Sequence, residues 1–317
     1  MLEKVKQFPW VVAWALVACS GPPEAGPAAP VSEPRPPKVV VTRLAVEEAT
    51  PPEYRVAAPA TDLTALVRTR LEGAGFTFAD SAPDDAVRLT LEARLARGLT
   101  AGEGFLLPTA ERPVGTRTRA VWVVEGKLKV PGGTGGEYLF LEGADEAPLE
   151  PTGEPTAALA RHAEKALDPV VQGLLVRTAL VGQSAQALVG KLADADWAVR
   201  LAAVERLAVL RDASAMEALV NLAKTEQNRE VLLRLIGVFG ELGDDRAAQA
   251  LIGLANPRDR EMLRAVLDAL SVVGGERVTD FFDILASHDA PDVREMVEEA
   301  RARLARKAEA PPSREAP

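Results

Sequence analysis

The last third of the chain repeats itself at a nearly constant spacing. Four segments share one pattern, with an apolar residue in third place: Trp197–Arg200, Arg229–Leu232, Arg260–Leu263 and Pro291–Arg294. The third positions are Val199, Val231, Met262 and Val293, and the steps between them are 32, 31 and 31 residues. A fixed period in this range, with two helical patterns per unit, is typical of an α-solenoid. We therefore predict about four stacked helical units over residues 183–307.

The first and last units carry a fuller pattern, in which aspartates at a turn precede a Val-Arg pair. The matching residues are Leu188, Leu192, Asp194, Asp196, Val199, Arg200, Ala203, Leu207 and Leu210, and then Leu285, Asp289, Asp292, Val293 and Arg294. These residues resemble HEAT repeats, in particular the short HEAT-like type of bacterial proteins, and the resemblance implies a solenoid that binds other proteins. The middle units have Leu232 and Leu263 in place of the arginine, so a regular ladder of Asp–Arg pairs is not predicted there.

The final helical pattern differs from the others, as expected of a terminal unit. Residues 294–307 are mostly charged, with Met296, Val297, Ala300 and Leu304 left as one apolar stripe. This composition predicts a capping helix with a solvated outer face. Residues 308–317 are polar and contain proline, which predicts a disordered tail.

Ahead of the repeats, residues 39–182 mix extended and helical patterns, which predicts an α+β domain before the all-α solenoid. From Val87 to Leu95 apolar and polar residues alternate with a period of two, as in a strand buried on one face. Further strands are predicted at 39–46, 116–130 and 138–141, a helix at 63–72 capped by Thr61 or Asp62, and a helix at 155–178 bent near Pro169. The arrangement from Leu71 onward resembles small periplasmic modules of TolB-like N-terminal domains and outer-membrane lipoproteins, which implies docking in envelope assemblies.

The first 18 residues resemble an export signal. A weakly basic start precedes an apolar run that is too short to span a bilayer. The run ends in Leu16-Val17-Ala18-Cys19-Ser20, which resembles the bacterial lipobox and implies that Cys19 is lipidated and becomes the mature N-terminus. We predict a signal peptide at 1–18, a Pro-rich tether at 19–38 and anchoring through Cys19 at the periplasmic face of the outer membrane. The alternative is a lone buried cysteine after a short hydrophobic segment.

Composition excludes several kinds of site. The formal net charge is −9 and the pI is about 5.1, which argues against nucleic acid as the main partner because phosphate binding needs a basic face. A single cysteine cannot form an internal disulfide, and the two histidines, His162 and His288, lie far apart in the sequence. A His/Cys metal cluster is therefore excluded, and no cofactor is predicted.

Several features that suggest chemistry have better structural explanations. Acidic residues recur at the repeat turns, and helix N-capping predicts this recurrence. The Gly132–Gly136 run lacks the Lys-Ser/Thr ending of a phosphate loop and joins two strands, so it predicts a hairpin turn. Neither histidine has a nucleophile motif near it, and Trp197 is interpreted as a packing residue. No catalytic residue is predicted.

We therefore expect a non-enzymatic, membrane-anchored lipoprotein whose HEAT-like repeats act as a protein–protein interaction scaffold in the cell envelope. The partner is an envelope protein that the sequence does not identify. Two alternatives stay open. One is a regulator or accessory enzyme with a small-molecule site in the α+β domain, and the other is an oligomeric envelope component that assembles through the repeats.

Overall fold

The structure is a computed structural model that describes residues 38–50, 62–100, 117–131, 136–148 and 155–309. Cys19, the export signal, the Pro-rich segment up to residue 37 and the predicted tail from residue 310 lie outside the described residues. The described part confirms the predicted fold class, because a sheet with two helices is followed by an array of helices.

The N-terminal part is a five-stranded mixed sheet. Its elements are β1 (Val39–Glu48), α1 (Leu63–Gly73), β2 (Thr77–Phe78), β3 (Val87–Thr100), β4 (Arg117–Lys129), β5 (Gly136–Pro148) and α2 (Pro155–Ala179). The strand order is β2-β1-β3-β4-β5. Strand β1 pairs in parallel with β2 and β3, whereas β3–β4 and β4–β5 are antiparallel. Residues 132–135 are not described, but the strands on either side pair as the predicted hairpin requires.

One face of the sheet carries the core. On β3, Leu89, Leu91 and Leu95 are fully buried, while Glu92 between them is exposed, so the alternation predicted for this strand is confirmed. Helix α1 packs on β1, and α2 packs on β4 and β5. The opposite face of the sheet has no helix from the described residues upon it, which is usual for antiparallel strands.

Helix α2 and strand β5 approach closely at Gly143. A Cβ atom at this position would overlap the carbonyl oxygen of Ala166 and come within 2.9 Å of Cγ of Pro169. The buried indole of Trp122 on β4 donates its Nε1–H to the carbonyl of Ala163 at 2.7 Å. The helix therefore rests on the sheet through backbone as well as side-chain contacts, and it continues as one element past Pro169.

The C-terminal part is an array of helices in four consecutive pairs. The pairs are α3 (Ala185–Lys191) and α4 (Trp197–Leu210), α5 (Met216–Thr225) and α6 (Arg229–Leu242), α7 (Ala248–Leu254) and α8 (Arg260–Val273), and α9 (Glu276–Ala286) and α10 (Pro291–Glu309). Among the first members, α5 packs on α7 and α7 on α9; among the second members, α4 packs on α6, α6 on α8 and α8 on α10. We call these the A layer and the B layer.

Acidic side chains begin many of these helices. Asp196 and Asp259 accept hydrogen bonds from backbone N–H groups in the first turns of α4 and α8, at 2.9 and 3.1 Å. Asp212 and Asp244 cap the short 3-10 turns that lead into α5 and α7. The capping role predicted for the recurring turn acids is confirmed at these positions, since an N-cap carboxylate satisfies a donor that the helix leaves unpaired.

Helix α2 belongs to both parts of the molecule. Leu174 lies in the core shared with the sheet, whereas Val176, and Leu180 directly after the helix, pack into the core of the array. In the last turn of the helix, Arg177 pairs with Glu205 of α4 at 2.9 Å. Because α2 contacts α4 as α4 contacts α6, it occupies the place before α4 in the B layer.

Candidate protein-binding surface

The B layer presents a row of exposed side chains. Helices α6, α8 and α10 begin at equivalent positions of the repeat, and residues three or four apart on each helix share one side. The exposed residues on that side are Glu230, Gly237, Glu241, Glu261, Arg264, Asp268, Val272, Glu295 and Glu299. We call this set the B-layer face. Carboxylates dominate it, so its electrostatic potential favours a basic partner.

Ion pairs between neighbouring helices hold this face in place. Arg264 of α8 contacts Glu299 of α10 at 3.2 Å. In the opposite direction, Arg303 of α10 pairs with Asp268 of α8. These side chains are partly exposed, so each pair adds little stability. Their effect is to order long side chains across adjacent helices.

A second set of ion pairs links the turns of the middle units. Arg229, the first residue of α6, pairs with Asp259 and, at 2.6 Å, with Glu261. Arg260, the first residue of α8, pairs with Asp292 at 2.5 Å. The hydrogen bonds from these arginines lower the pKa values of Asp259 and Asp292. The sequence pattern does not predict a ladder in these units, yet one exists because the arginine stands at the start of the helix.

The first unit is joined to the second by a buried pair. Arg200 of α4 donates from Nε and Nη2 to the two carboxylate oxygens of Glu226 at 2.7 and 2.8 Å. The same carboxylate accepts the N–H groups of Gln227 at 2.9 Å and Asn228 at 2.8 Å. Only 1% of the Glu226 side chain is exposed. The bidentate bond from Arg200, supported by the two backbone donors, lowers the pKa of Glu226 to about 2.

The residues that define the repeat in the sequence occupy equivalent places. Val231, Met262 and Val293 are buried in the array core, and Val199 is partly buried. Arg200 also donates to the carbonyl of Asp194 at 2.9 Å. Arg294 does the same in the last unit, to the carbonyl of His288 at 2.7 Å. The Val-Arg pattern thus combines a core residue with one that closes its own turn.

A family model described as HEAT repeats matches residues 185–271 and 216–302. Residues 185–302 form a HEAT-repeat domain. The matched region begins at α3 and ends within α10, so it includes the turn ladder and the whole B-layer face. The HEAT-repeat assignment made from the Asp, Val and Arg spacing is therefore confirmed for this part of the chain.

Other comparisons add little to this assignment. No curated protein matches the sequence. Among solved structures, the rare lipoprotein B from Shewanella oneidensis is 20% identical, and the alignment covers 43% of this chain and 89% of that protein with a TM-score of 0.25. An engineered protein is 18% identical over 49% of this chain and 76% of its own, with a TM-score of 0.28.

The two histidines and Trp197, which could suggest a chemical or ligand-binding role, have identifiable positions in the structure. His288 accepts the N–H of Ala290 through Nδ1 at 3.1 Å and so caps a turn. His162 is buried and contacts the carboxylate of Asp145, which joins α2 to β5. His162 therefore packs inside the α+β part of the chain. Trp197 is not a core residue, because it is 41% exposed at the start of α4.

The described residues contain no group of three or more His, Cys, Asp or Glu side chains that could hold a metal ion. In the same part of the chain, no helix has both the length and the apolar character needed to cross a membrane.

A shallow cleft of about 310 Å³ lies on the open face of the sheet, lined in part by Arg43, Glu125 and Tyr138. A hydrogen bond to Glu125 raises the pKa of Tyr138. The alternative small-molecule function would place its ligand in a cleft of this kind.

Proposed function

We propose that the protein is a membrane-anchored adaptor that binds another envelope protein through the B-layer face of its HEAT-repeat domain. The observation that supports this most directly is that a HEAT array leaves one ordered, carboxylate-rich side of three successive helices exposed. Such repeats typically bind proteins, and nothing in the site resembles a catalytic arrangement of residues. The adaptor role is non-enzymatic.

The ordering of the face favours binding. Arginine and glutamate side chains lose conformational freedom when a partner immobilises them, at a cost of about 0.5–1.5 kcal/mol each. Arg264 and Glu299 already restrain each other across α8 and α10, which reduces that cost. Carboxylates such as Glu230 and Glu295 then attract a basic partner and speed its association. The expected partner surface is therefore basic, with an apolar residue opposite Val272.

Membrane anchoring is the second part of the proposal. It depends on the Leu16–Ser20 motif, in which the only cysteine of the chain stands at the lipidation position. Acyl chains on Cys19 would give stable anchoring without a transmembrane helix. The Pro-rich segment that follows favours an extended tether, which would hold the sheet and the HEAT domain away from the lipid.

Site-specific photocrosslinking in cells tests the binding surface. A photoreactive residue is placed singly at Glu230, Gly237 or Val272 on the B-layer face of the full-length protein. The matched positions are Gln186 and Gln249, which are exposed on the A layer. We expect the B-layer positions to give one common adduct, identified by mass spectrometry, and the A-layer positions to give none.

Two further variants separate binding from anchoring. Charge reversal, Glu230→Lys, should weaken the common adduct at Val272 without changing the amount of protein in the membrane fraction. Cys19→Ser should remove the protein from the membrane fraction. Adducts that form only from the A layer, or no specific adduct from any position, would refute the B-layer face as the binding site.

A further inference from the structure

We infer that the outer edge of β5, at residues 136–140, binds an extended segment of a partner protein as an added strand. This goes beyond the B-layer face, because it involves the sheet and a different kind of ligand. The segment would carry apolar side chains on one side and polar side chains on the other. The inference follows from a strand edge that no other described strand pairs with and that lies in a cleft with exposed apolar walls.

The two edges of the sheet differ in how they are protected. Strand β2, at one edge, has only two residues, Thr77 and Phe78, and a very short edge strand offers little to pair with. Strand β5, at the other edge, has thirteen residues and pairs only with β4 among the described strands. Its first five residues, Gly136–Phe140, include no lysine or proline, and their register with β4 is unbroken. Three devices that block edge pairing, namely lysine, proline and a bulge, are therefore absent from these five residues.

This part of β5 borders a cleft of about 450 Å³ between the sheet and the HEAT domain. Glu137 and Leu139 point to the helix-covered face of the sheet, and Tyr138 and Phe140 point to the open face. All four line the cleft. Since residues of both orientations border it, the cleft lies along the strand edge, where every second residue of an antiparallel edge strand directs its N–H and C=O outward.

Exposed apolar side chains gather at this cleft. Tyr138 is 62% exposed, Phe140 53% and Val209 of α4 52%, and all three line the same space. Clustered apolar surface of this kind marks interaction sites in soluble domains. An added strand would pack its apolar side chains beside Tyr138 and Phe140, because side chains at alternate positions share a face.

The opposite wall of the cleft is polar and limits the size of the ligand. Arg177, Arg206 and Arg234 reach it, and they pair with Glu205, Glu137 and Glu241, respectively. This charge-balanced wall favours polar side chains on this side of the added strand. Arg206 of α4 pairs with Glu137 of β5, so α4 stands close to the edge. A single extended segment fits beside it, whereas a second copy of the whole sheet would meet α4.

A labelled peptide tests the inference. The probe is an eight-residue peptide in which valine alternates with threonine, and it is titrated against the full-length protein by fluorescence anisotropy. The control peptide has the same sequence with every peptide nitrogen methylated, which removes the donors that strand pairing needs. We expect the control to bind at least about tenfold more weakly, since each hydrogen bond lost contributes on the order of a few-fold to affinity.

Protein variants locate the site. Phe140→Asp and Val209→Asp should each lower the affinity for the probe at least about tenfold. Ile284 is an exposed apolar residue on α9, and Ile284→Asp should leave the affinity for the probe unchanged. Hydrogen–deuterium exchange at residues 136–140 should slow when the probe is added. Equal affinity of the methylated control, no binding at about 1 mM probe, or full protection of these amides before any probe is added would each overturn the inference. Glu230→Lys should not affect the probe, which separates this site from the B-layer face.

Discussion

Replacing Glu226 with glutamine should destabilise the HEAT domain more than any change to its exposed ion pairs. Glu226 is the acceptor of four hydrogen bonds, two from Arg200 and one each from the N–H groups of Gln227 and Asn228. An amide is neutral and has only one acceptor oxygen, so at least one of these donors loses its partner. Arg200 then remains largely buried without its counter-charge.

The size of the effect follows from the pKa of Glu226. Its value falls from the ordinary 4.5 to about 2 in the folded chain, and about 1.4 kcal/mol corresponds to each tenfold change in proton affinity. The ionised form therefore stabilises the fold by about 3 kcal/mol. Arg200 keeps its bonds to the carbonyls of the preceding turn, which limits the loss. We expect Glu226→Gln to lower the free energy of unfolding by about 2–3 kcal/mol at neutral pH.

Urea denaturation followed by circular dichroism at several pH values measures this prediction. Because folding lowers the pKa of Glu226, its contribution is complete above pH 4.5 and is lost as the pH falls through about 2. The difference between wild type and Glu226→Gln should therefore be constant from neutral pH down to about pH 4.5 and narrow below it. The control is Arg229→Gln, which breaks an exposed pair at an equivalent joint of the next unit and should have a much smaller effect. If both variants lose the same stability, or if the difference does not narrow in acid, the reasoning is wrong.

Four other changes test the contacts and the anchor. Gly143→Ala should destabilise the protein by about 1–3 kcal/mol, because the added methyl group overlaps the α2 backbone. In Gly190→Ala the added Cβ meets nothing within 4 Å, so this change should stabilise α3 by about 0.5–1 kcal/mol. Urea denaturation measures both effects. Trp122→Phe should cost about 1–3 kcal/mol in the same assay, through the lost bond to Ala163 and the space left behind. Cys19→Ser should abolish incorporation of radiolabelled palmitate; continued incorporation would contradict the lipobox assignment.

Local sequence patterns predicted the strands and helices in which buried residues recur at a regular spacing. The alternation on β3 and the 31–32-residue period of the array were sufficient for the strand and the four helical units, since both reflect which side of an element is buried. Asp62 was one of two residues predicted to cap α1, and it accepts the N–H of Ala65 at 3.0 Å. In each case the sequence within a few residues determines the outcome.

Long-range contacts account for what the sequence did not predict. The parallel pairing of β1 with β3 joins segments almost 50 residues apart, and no local pattern encodes it. Strand β5 was predicted at 138–141 but runs from Gly136 to Pro148, because pairing with β4 extends it through residues of low strand propensity.

The contact between the sheet and the helical array was also not predicted from the sequence. Arg206 occupies a helix position where the later units bury Val238, Ala269 and Ala300, and an arginine there suggests an exposed residue. It is buried because Glu137 of β5 supplies a counter-charge. In the sequence, the only indication of this contact was the break in the repeat pattern at Arg206. Explaining that break required knowing that Glu137 of β5 lies beside it.

The double role of α2 determines how the molecule can be divided. A solenoid usually ends in a repeat with one polar side, which shields the apolar side chains of the unit next to it. Here helix α2, which packs on the sheet, and the residue after it supply that shield, through Val176 and Leu180. A truncated protein starting at Ala185 would expose the apolar side of its first repeat unit and should aggregate. A truncated protein starting ahead of β1 would keep the sheet and α2, which shield that side. Growth or loss of whole units in related chains is therefore expected beyond α4, away from the sheet.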